Sequence, residues 1–355
     1  MKTNNPSRVK DFATFAGVIL AFIVVYTMRS RGMLTRSLSG QLVPICAYVV
    51  MAISLNLTVG VLGELSLGHA GFMSVGAFSG VVAAMSLASV IPSPVLRLVI
   101  AMVVGAIFAA ITGVIVGVPV LRLQGDYLAI VTLAFGEIIK ELINCLIIGH
   151  DENGLHIIFN ATGAKTVTDL GLTETGKVLI KGAQGATGTD TIASFTAGFI
   201  LIMVTLVVVL NLARSRSGRA IMALRDNRIA AESVGINVTK YKLMAFVTSA
   251  ALAGGAGALY GLNFSNLVSS KFDFNTSILV LVFVVLGGLG NMWGSIIAAA
   301  VLTVLPEALR GFADYRMLIY AIVLIVVMLA TNSPQMKALL SKLVPFGKKG
   351  EKEHA

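Results

Sequence analysis

The strongest constraint on this fold is a succession of ten apolar runs, seven of them between 17 and 24 residues long. A helix needs about 20 predominantly apolar residues to cross the hydrocarbon core of a bilayer. Within that core every backbone N–H and C=O must be bonded inside the protein, and a helix meets this requirement by itself. The sequence therefore predicts an all-α fold, a polytopic helical membrane protein with about ten transmembrane segments.

The predicted segments occupy most of the chain. They are Phe12–Met28, Leu42–Val59, Ala70–Val90, Val95–Val118, Tyr127–Ile148, Ile192–Leu212, Met244–Leu262, Ser277–Leu289, Ser295–Leu309 and Met317–Ala330. A glycine-rich stretch, 287–294, separates two short segments within 277–309. These two segments form either two spans or a re-entrant pair, and the sequence leaves both possibilities open.

Composition supports the membrane assignment. Hydrophobic residues make up 56% of the chain and charged residues 12%, whereas a soluble domain has roughly a quarter charged residues. The net charge is +10, but the basic residues cluster in connectors and tails, which favours contact with anionic lipid and argues against nucleic-acid binding. Cys46 and Cys145 both lie in apolar runs and suggest neither a metal site nor a disulfide framework.

Charge distribution also predicts the topology. Segment 213–243 has seven Arg and Lys residues against two acidic residues, and such an excess is typical of cytoplasmic loops. Segment 149–191, with three lysines and five acidic residues, is predicted to be external. The remaining divisions are a cytoplasmic N-terminal tail, 1–11, a transmembrane domain, 12–333, and a cytoplasmic C-terminal tail, 334–355.

Catalytic and nucleotide-binding patterns are missing from the sequence. The four histidines are scattered, and no phosphate-binding loop, zinc-protease motif or nucleophile elbow occurs. A membrane-embedded enzyme is therefore excluded. A pump built on this chain would take its energy from a partner subunit.

Two glycine-rich elements, 56–76 and 286–295, interrupt apolar runs. A helix break at membrane depth is tolerated only where it is buried in protein or lines a cavity, and transporters build substrate sites from such breaks. A small-residue packing face beside an interfacial loop is the structural alternative. The candidate residues of a translocation path or gate are Asn56, Gly63, Ser66, His69, Glu137, Gly287, Gly288 and Gly290.

Glu137 lies ten residues into an apolar run. A carboxylate there is costly unless it faces the bundle interior, water or a partner, and Lys140 at i+3 supplies part of the pairing. Function and buried structural pairing remain equal alternatives for this residue. A self-contained secondary transporter or channel, which is a different functional class, would use Glu137, Glu64 and His69 as a proton relay.

Several blocks carry a family resemblance by their joint order. The blocks are 56–76, 125–137, 218–242, 253–260, 284–294 and 305–307. Together the chain resembles the inner-membrane permeases of branched-chain amino acid ABC importers, and is most similar to the M-type subunit. The resemblance implies a multi-pass protein of the bacterial inner membrane. It also implies a second related permease, two cytoplasmic ATPases that bind ATP and Mg, and a periplasmic or extracellular binding protein.

The resemblance assigns 213–243 as the loop that couples the permease to an ATPase. Importer permeases carry a Glu-Ala-Ala-x-x-x-Gly loop, and Ala230, Ala231 and Gly235 match its pattern here, while Ile229 takes the place of the glutamate. The candidate coupling residues are Arg225, Asp226, Arg228, Ala230, Ala231, Glu232 and Gly235. No cofactor is expected on this chain itself.

Another departure concerns the substrate. Relatives carry a Thr-Gly-Gly-x-x-Gly-Ile signature after the fifth segment, whereas this chain has Gly-His-Asp-Glu-Asn-Gly-Leu-His-Ile from residue 149. The external loop is therefore atypical. Branched-chain amino acids are the expected substrates, and urea or short amides, which similar permeases handle, are the alternative.

Overall fold

The structure of the protein is a computed structural model. It describes residues 6–123, 125–151, 154–160, 167–171 and 176–309, together with 321, 322 and 325. The chain divides into two compact units, Met1–Val301 and Leu302–Ala355. The first unit contains the helical bundle and all the sites discussed below. Of the second unit, the structure describes mainly the end of the last helix.

The described residues are predominantly helical. Eleven α-helices follow in chain order: α1 (Pro6–Ser30), α2 (Arg36–Asn56), α3 (His69–Ser86), α4 (Pro94–Val120), α5 (Asp126–Asn144), α6 (Phe195–Arg214), α7 (Arg216–Asp226), α8 (Arg228–Ser233), α9 (Val238–Gly261), α10 (Phe274–Gly287) and α11 (Met292–Ala308). A π-helical turn, Leu57–Leu62, extends α2. Side chains that cap free N–H groups start several of these helices, for example Ser194 at α6 and Asn237 at α9.

Six helical stretches in the described residues are long and apolar enough to cross a membrane. They are Arg36–Leu62, His69–Ser86, Pro94–Val120, Phe195–Arg214, Val238–Gly261 and Ser269–Gly287. Shorter apolar helices cover Thr14–Ser30 and Met292–Glu307. Nine of the ten predicted segments overlap with helices. The tenth, Met317–Ala330, lies outside the described residues except for positions 321, 322 and 325.

Glycines bring the central helices α3, α4 and α9 into close contact. A Cβ at Gly76 of α3 would overlap the backbone of Gly254 in α9, and a Cβ at Gly257 would overlap the carbonyl of Met73. Gly105 of α4 packs on the same pair of helices. Small residues permit this approach, which gives membrane helices their packing energy.

A five-stranded antiparallel sheet was missed by the all-α prediction. Its strands are β1 (Leu146–Asp151), β2 (Gly154–Phe159), β3 (Lys177–Lys181), β4 (Ala186–Thr187) and β5 (Asn266–Leu267), in the order β2-β1-β3-β4-β5. The predicted fifth segment, Tyr127–Ile148, is therefore wrong at its end, since α5 stops at Asn144. Periodicity does not distinguish a short apolar strand such as β1 from the end of a helix.

The sheet and segment 213–243 lie at opposite ends of α6 and α9. Helix α6 starts after β4 and ends at α7, and α9 starts after α8 and ends before β5. We call the end formed by α7, α8 and the start of α9 the connector end, and the other the sheet end. This arrangement places the two predicted loops on opposite sides of the bundle.

Candidate functional site

The first helix break lies at 57–68, between α2 and α3. The α-helix changes to a π-turn at Leu57–Leu62, and Gly63 then adopts the left-handed conformation with φ of 82°. A glycine takes this conformation without the steric cost that a Cβ carries. The chain continues without regular structure until α3 begins at His69. Because π-turns within helices are frequent at functional sites, this break is the centre of the candidate site.

The second break, 288–291, joins α10 to α11. Gly288 and Gly290 have φ of 93° and 78°. A Cβ at Gly287 would overlap the backbone of Gly294 and Ser295, so the two helices meet closely just beside the break. The structure thus has two helices within 277–309, with a short left-handed turn between them.

Asn56 joins the two breaks. Its side-chain amide donates to Ser295 Oγ over 2.8 Å, and its Oδ1 accepts from the Gly290 N–H over 2.8 Å. Asn56 is fully buried. Gly60 packs against the same turn, since a Cβ there would overlap both Asn56 Oδ1 and the Gly290 backbone. The breaks therefore form one hydrogen-bonded unit across 234 residues of sequence.

Four buried hydroxyls lie beside the two helix breaks, three of them at the start of α3, and none of the four was among the predicted site residues. Thr132 Oγ1 accepts from the Leu67 N–H over 3.1 Å, and Ser277 Oγ accepts from the Ala70 N–H over 3.1 Å. Ser54 Oγ lies 2.9 Å from His69 Nε2, and the fourth hydroxyl is Ser295, the partner of Asn56. Hydroxyls inside apolar runs were the available signal, because Ser and Thr bond across helices in membranes.

Ser66 comes just before this packed start in the chain, and Glu137 of α5 lies beside it. Ser66 is buried, and within the described part of the chain its Oγ has no hydrogen-bond partner. Glu137 Oε1 accepts from the Phe274 N–H over 3.1 Å, at the first residue of α10. The space that Glu137 shares with Leu67 and Ser277 has no room for a water molecule.

The three ionisable groups of the predicted proton relay have separate partners. Glu64 pairs with Lys242, Glu137 with Lys140, and His69 with Ser54. A relay requires hydrogen-bonded groups in series, so this arrangement gives it no support. Among the described residues, no three His, Cys, Asp or Glu side chains are placed to hold a metal ion.

We call segment 213–243 the connector. Its two short helices, α7 and α8, each begin at a side chain that caps the first turn. Ser215 Oγ accepts from the Gly218 N–H at the start of α7, and Asn227 Oδ1 accepts from the Ala230 N–H at the start of α8. Helix α8 ends in a Schellman motif, in which Ile236 N–H donates to Ala231 C=O and Gly235 N–H to Glu232 C=O. Gly235 has φ of 84°, which this motif requires and glycine provides.

The predicted coupling residues divide into outward and inward sets. Ala230 is exposed, and Arg228 and Glu232 pair on the surface, while Ile229 is 80% and Val234 75% exposed. Ala231 is buried against Leu224 and Val238 and offers no docking surface. Arg225, one of the predicted coupling residues, pairs with Asp226 and also donates from Nη1 to the Gly60 carbonyl over 2.9 Å.

Comparisons with known proteins place this geometry in a family. The family model for the branched-chain amino acid transport system permease component matches residues 37–329. The chain belongs to this permease family. The permease is 33% identical to the high-affinity branched-chain amino acid transport system permease protein LivM of Salmonella typhimurium over 298 residues, which cover 79% of this chain and 66% of LivM.

Two further relatives are similar to the permease over different shares of its length. LivM of Escherichia coli is 34% identical over 290 residues, with the same 79% and 66% coverage. LivH of Salmonella typhimurium, also named a branched-chain amino acid transport system permease protein, is 26% identical over 157 residues, or 43% of this chain and 50% of LivH. The permease thus spans 66% of the length of the LivM proteins. No solved structure matches it.

Family membership and the apolar helices together make this chain a multi-pass membrane protein. The matched range, 37–329, includes both helix breaks, α5 and the connector. Both helix breaks and the connector therefore lie within the part of the chain that the family model covers.

Proposed function

We propose that this chain is one permease subunit of an ATP-driven importer and carries branched-chain amino acids that an external binding protein delivers. The observation that carries the proposal is the family match over 37–329, with a third of residues identical to LivM over 79% of the chain. The similarity to LivH supports a second, related permease as partner. ATP and Mg would bind to two separate cytoplasmic ATPases, and the chain itself would bind no cofactor.

The translocation path runs along α5 and the start of α10 in this proposal. Glu137 keeps 35% of its side chain exposed, about 16 Å along the helix from Asp126 at a rise of 1.5 Å per residue. A carboxylate at that depth favours water or a second subunit over lipid. Asn56, His69 and Ser66 are buried. We therefore assign them to a gate that opens and closes this path. The backbone at the two helix breaks would bend when the gate opens and closes. The glycines at these positions are Gly63, Gly287, Gly288 and Gly290.

Helix α8 is the proposed contact with the ATPase. Ile229 and Val234 are large apolar side chains that stand free on a solvated connector, and exposed apolar patches with a polar rim mark interaction sites. Arg228 and Glu232 provide the rim. Ile229, where relatives carry glutamate, supplies an apolar contact in place of a charged one.

The proposed topology places the connector and the N-terminus in the cytoplasm of a bacterium, with ten spans through its inner membrane. Phe22 of α1 stacks on Phe195 and Phe199 at the start of α6, so α1 ends at the sheet end and begins at the connector end. The basic connector faces the cytoplasm by its charge. The tenth span and the cytoplasmic C-terminal tail rest on sequence alone.

Reconstitution tests the proposal. The chain is placed in liposomes with its co-purifying permease, ATPases and binding protein, and uptake of labelled leucine is measured with excess valine, urea or acetamide as competitor. ATP-dependent leucine uptake that valine suppresses is the expected result. Uptake of urea or an amide would change the substrate and keep the mechanism, and uptake without ATP would overturn the proposal.

A further inference from the structure

The connector makes two polar contacts with the first helix break, and both are inward. Arg225 donates to the Gly60 carbonyl, and Lys242 at the start of α9 forms an ion pair with Glu64. The Lys242 and Glu64 side chains are only 6% and 14% exposed. We call Arg225, Lys242 and Glu64 the inner contacts of the connector, in contrast to the outward surface of α8.

The connector is also a packed unit in its own right. Leu224 of α7, Ala231 of α8 and Val238 of α9 form a buried apolar cluster, against which Ile236 and Tyr241 pack. Packed side chains transmit a displacement, because interiors are dense and do not compress. A force on α8 therefore reaches Arg225 and Lys242 through this cluster.

At the break, the inner contacts hold backbone groups as well as side chains. The Arg225 stem lies over Gly63, where a Cβ would come within 2.5 Å of Arg225 Cγ. Gly60, whose carbonyl Arg225 binds, packs directly on Gly290 of the second break. Asn56 adds its bonds to Gly290 and Ser295. A shift of the connector therefore moves both breaks, since their contacts are continuous.

We propose that Arg225 and the Lys242–Glu64 pair are positioning residues that convert movement of α8 into movement of the two helix breaks. The inference rests on the proposed function and adds the residues through which coupling passes. Arg225 acts on the Gly60 carbonyl, and Lys242 acts on the side chain of Glu64, the residue after Gly63. Neither residue needs to touch the ATPase or the substrate.

The test measures uptake per ATP hydrolysed in the complete transporter. For Arg225→Gln and Lys242→Met we expect at least a tenfold fall in this ratio, because ATP hydrolysis continues while the helix breaks no longer follow the connector. The charge exchange Glu64→Lys with Lys242→Glu restores the pair and is expected to regain most of the ratio. Arg219→Gln is the matched control, because Arg219 lies on the same helix and bonds to the nearby Arg214 carbonyl.

Each outcome has a separate meaning. If the variants lower uptake and ATP hydrolysis in proportion, so that the ratio is constant, the inner contacts are only structural and the inference is wrong. If Arg225→Gln does not assemble, Arg225→Met keeps much of the stem but removes the donor to the Gly60 carbonyl, and a ratio equal to wild type in that variant would overturn the assignment of Arg225. Loss of ATP-dependent uptake in the wild-type system would overturn the proposed function instead.

Discussion

The two ends of the bundle are attached to its helices in different ways. At the connector end, Arg225, Lys242 and Asn56 link α7, α9 and both helix breaks through buried or half-buried polar contacts. At the sheet end, Arg97 of α4 reaches Asp190 after β4 over 2.9 Å, and the Asp190 side chain is 55% exposed. Strands β4 and β5 are two residues each.

This difference indicates which end is built to transmit movement and which is built to adapt. Buried polar contacts fix a geometry because a lost partner leaves a desolvated group. Exposed ion pairs contribute little because water replaces them. We expect the helix breaks to depend strongly on the connector end and the sheet end to tolerate change. Four substitutions test this expectation, beginning with the largest effect.

Gly60→Ala is expected to have the largest effect. Its methyl group would overlap the backbone of Gly290 and the side chain of Asn56, which cannot move without separating the two breaks. We expect a destabilisation of about 3 kcal/mol, at the upper end for overpacking, and loss of uptake. The measurements are the thermal unfolding midpoint in detergent and transport in liposomes. Gly40→Ala on α2, where nothing lies within 4 Å, is the control. Equal midpoints for both variants would show that the breaks are not in contact.

Asn56→Leu is expected to be intermediate. The change removes the bonds to Ser295 and Gly290 and leaves the fully buried Ser295 Oγ without its donor. One unsatisfied buried group costs about 1–3 kcal/mol. A double-mutant cycle with Ser295→Ala measures the shared part, which we expect to be about 1 kcal/mol in the free energy of unfolding. Full additivity of the two changes would mean that Asn56 and Ser295 do not interact, and that the breaks are joined by packing alone.

The sequence predicted the helices far better than it predicted the contacts between them. Apolar runs identify membrane helices because lipid excludes polar backbone, and the positions of the glycines marked both breaks. The join between the breaks was not predictable, since Asn56 and Gly290 are 234 residues apart and no local pattern pairs them. The contact of Arg225, a predicted coupling residue, with the Gly60 carbonyl was not predictable for the same reason, because the two residues are 165 positions apart.

The sheet end shows a different limit of sequence analysis. Strand β1 continues the apolar run of α5, and its partners β2 and β3 follow only after further turns. Short strands depend on pairing that the local sequence does not specify. Charge predicted this region to be an external loop, but the strand pairing within it became visible only in the structure.

Gly235→Ala tests the outward surface of the connector and is expected to have a smaller effect. A left-handed conformation costs a residue with a Cβ about 1 kcal/mol, which would weaken ATPase binding roughly fivefold. Gly235→Asn is the control, because asparagine tolerates that conformation. Affinity of the ATPase for the purified permease pair is the measurement. Identical affinity for wild type, Ala and Asn would mean that the end of α8 does not contribute to docking, and only the inner contacts would then distinguish the connector end.

Arg97→Met is expected to have the smallest effect, and it tests the sheet end. The Arg97 side chain is 11% exposed, so its stem packs while its guanidinium meets Asp190. Methionine keeps much of the stem, and the exposed carboxylate of Asp190 regains water. We therefore expect a loss below about 1 kcal/mol in the free energy of unfolding and unchanged uptake per ATP. Asp190→Asn removes the carboxylate charge but keeps an oxygen that can accept from Arg97 Nη1, so its effect should be equally small. A loss above about 3 kcal/mol in either variant would show that both ends are equally fixed, because breaking a buried ion pair costs about 3–5 kcal/mol.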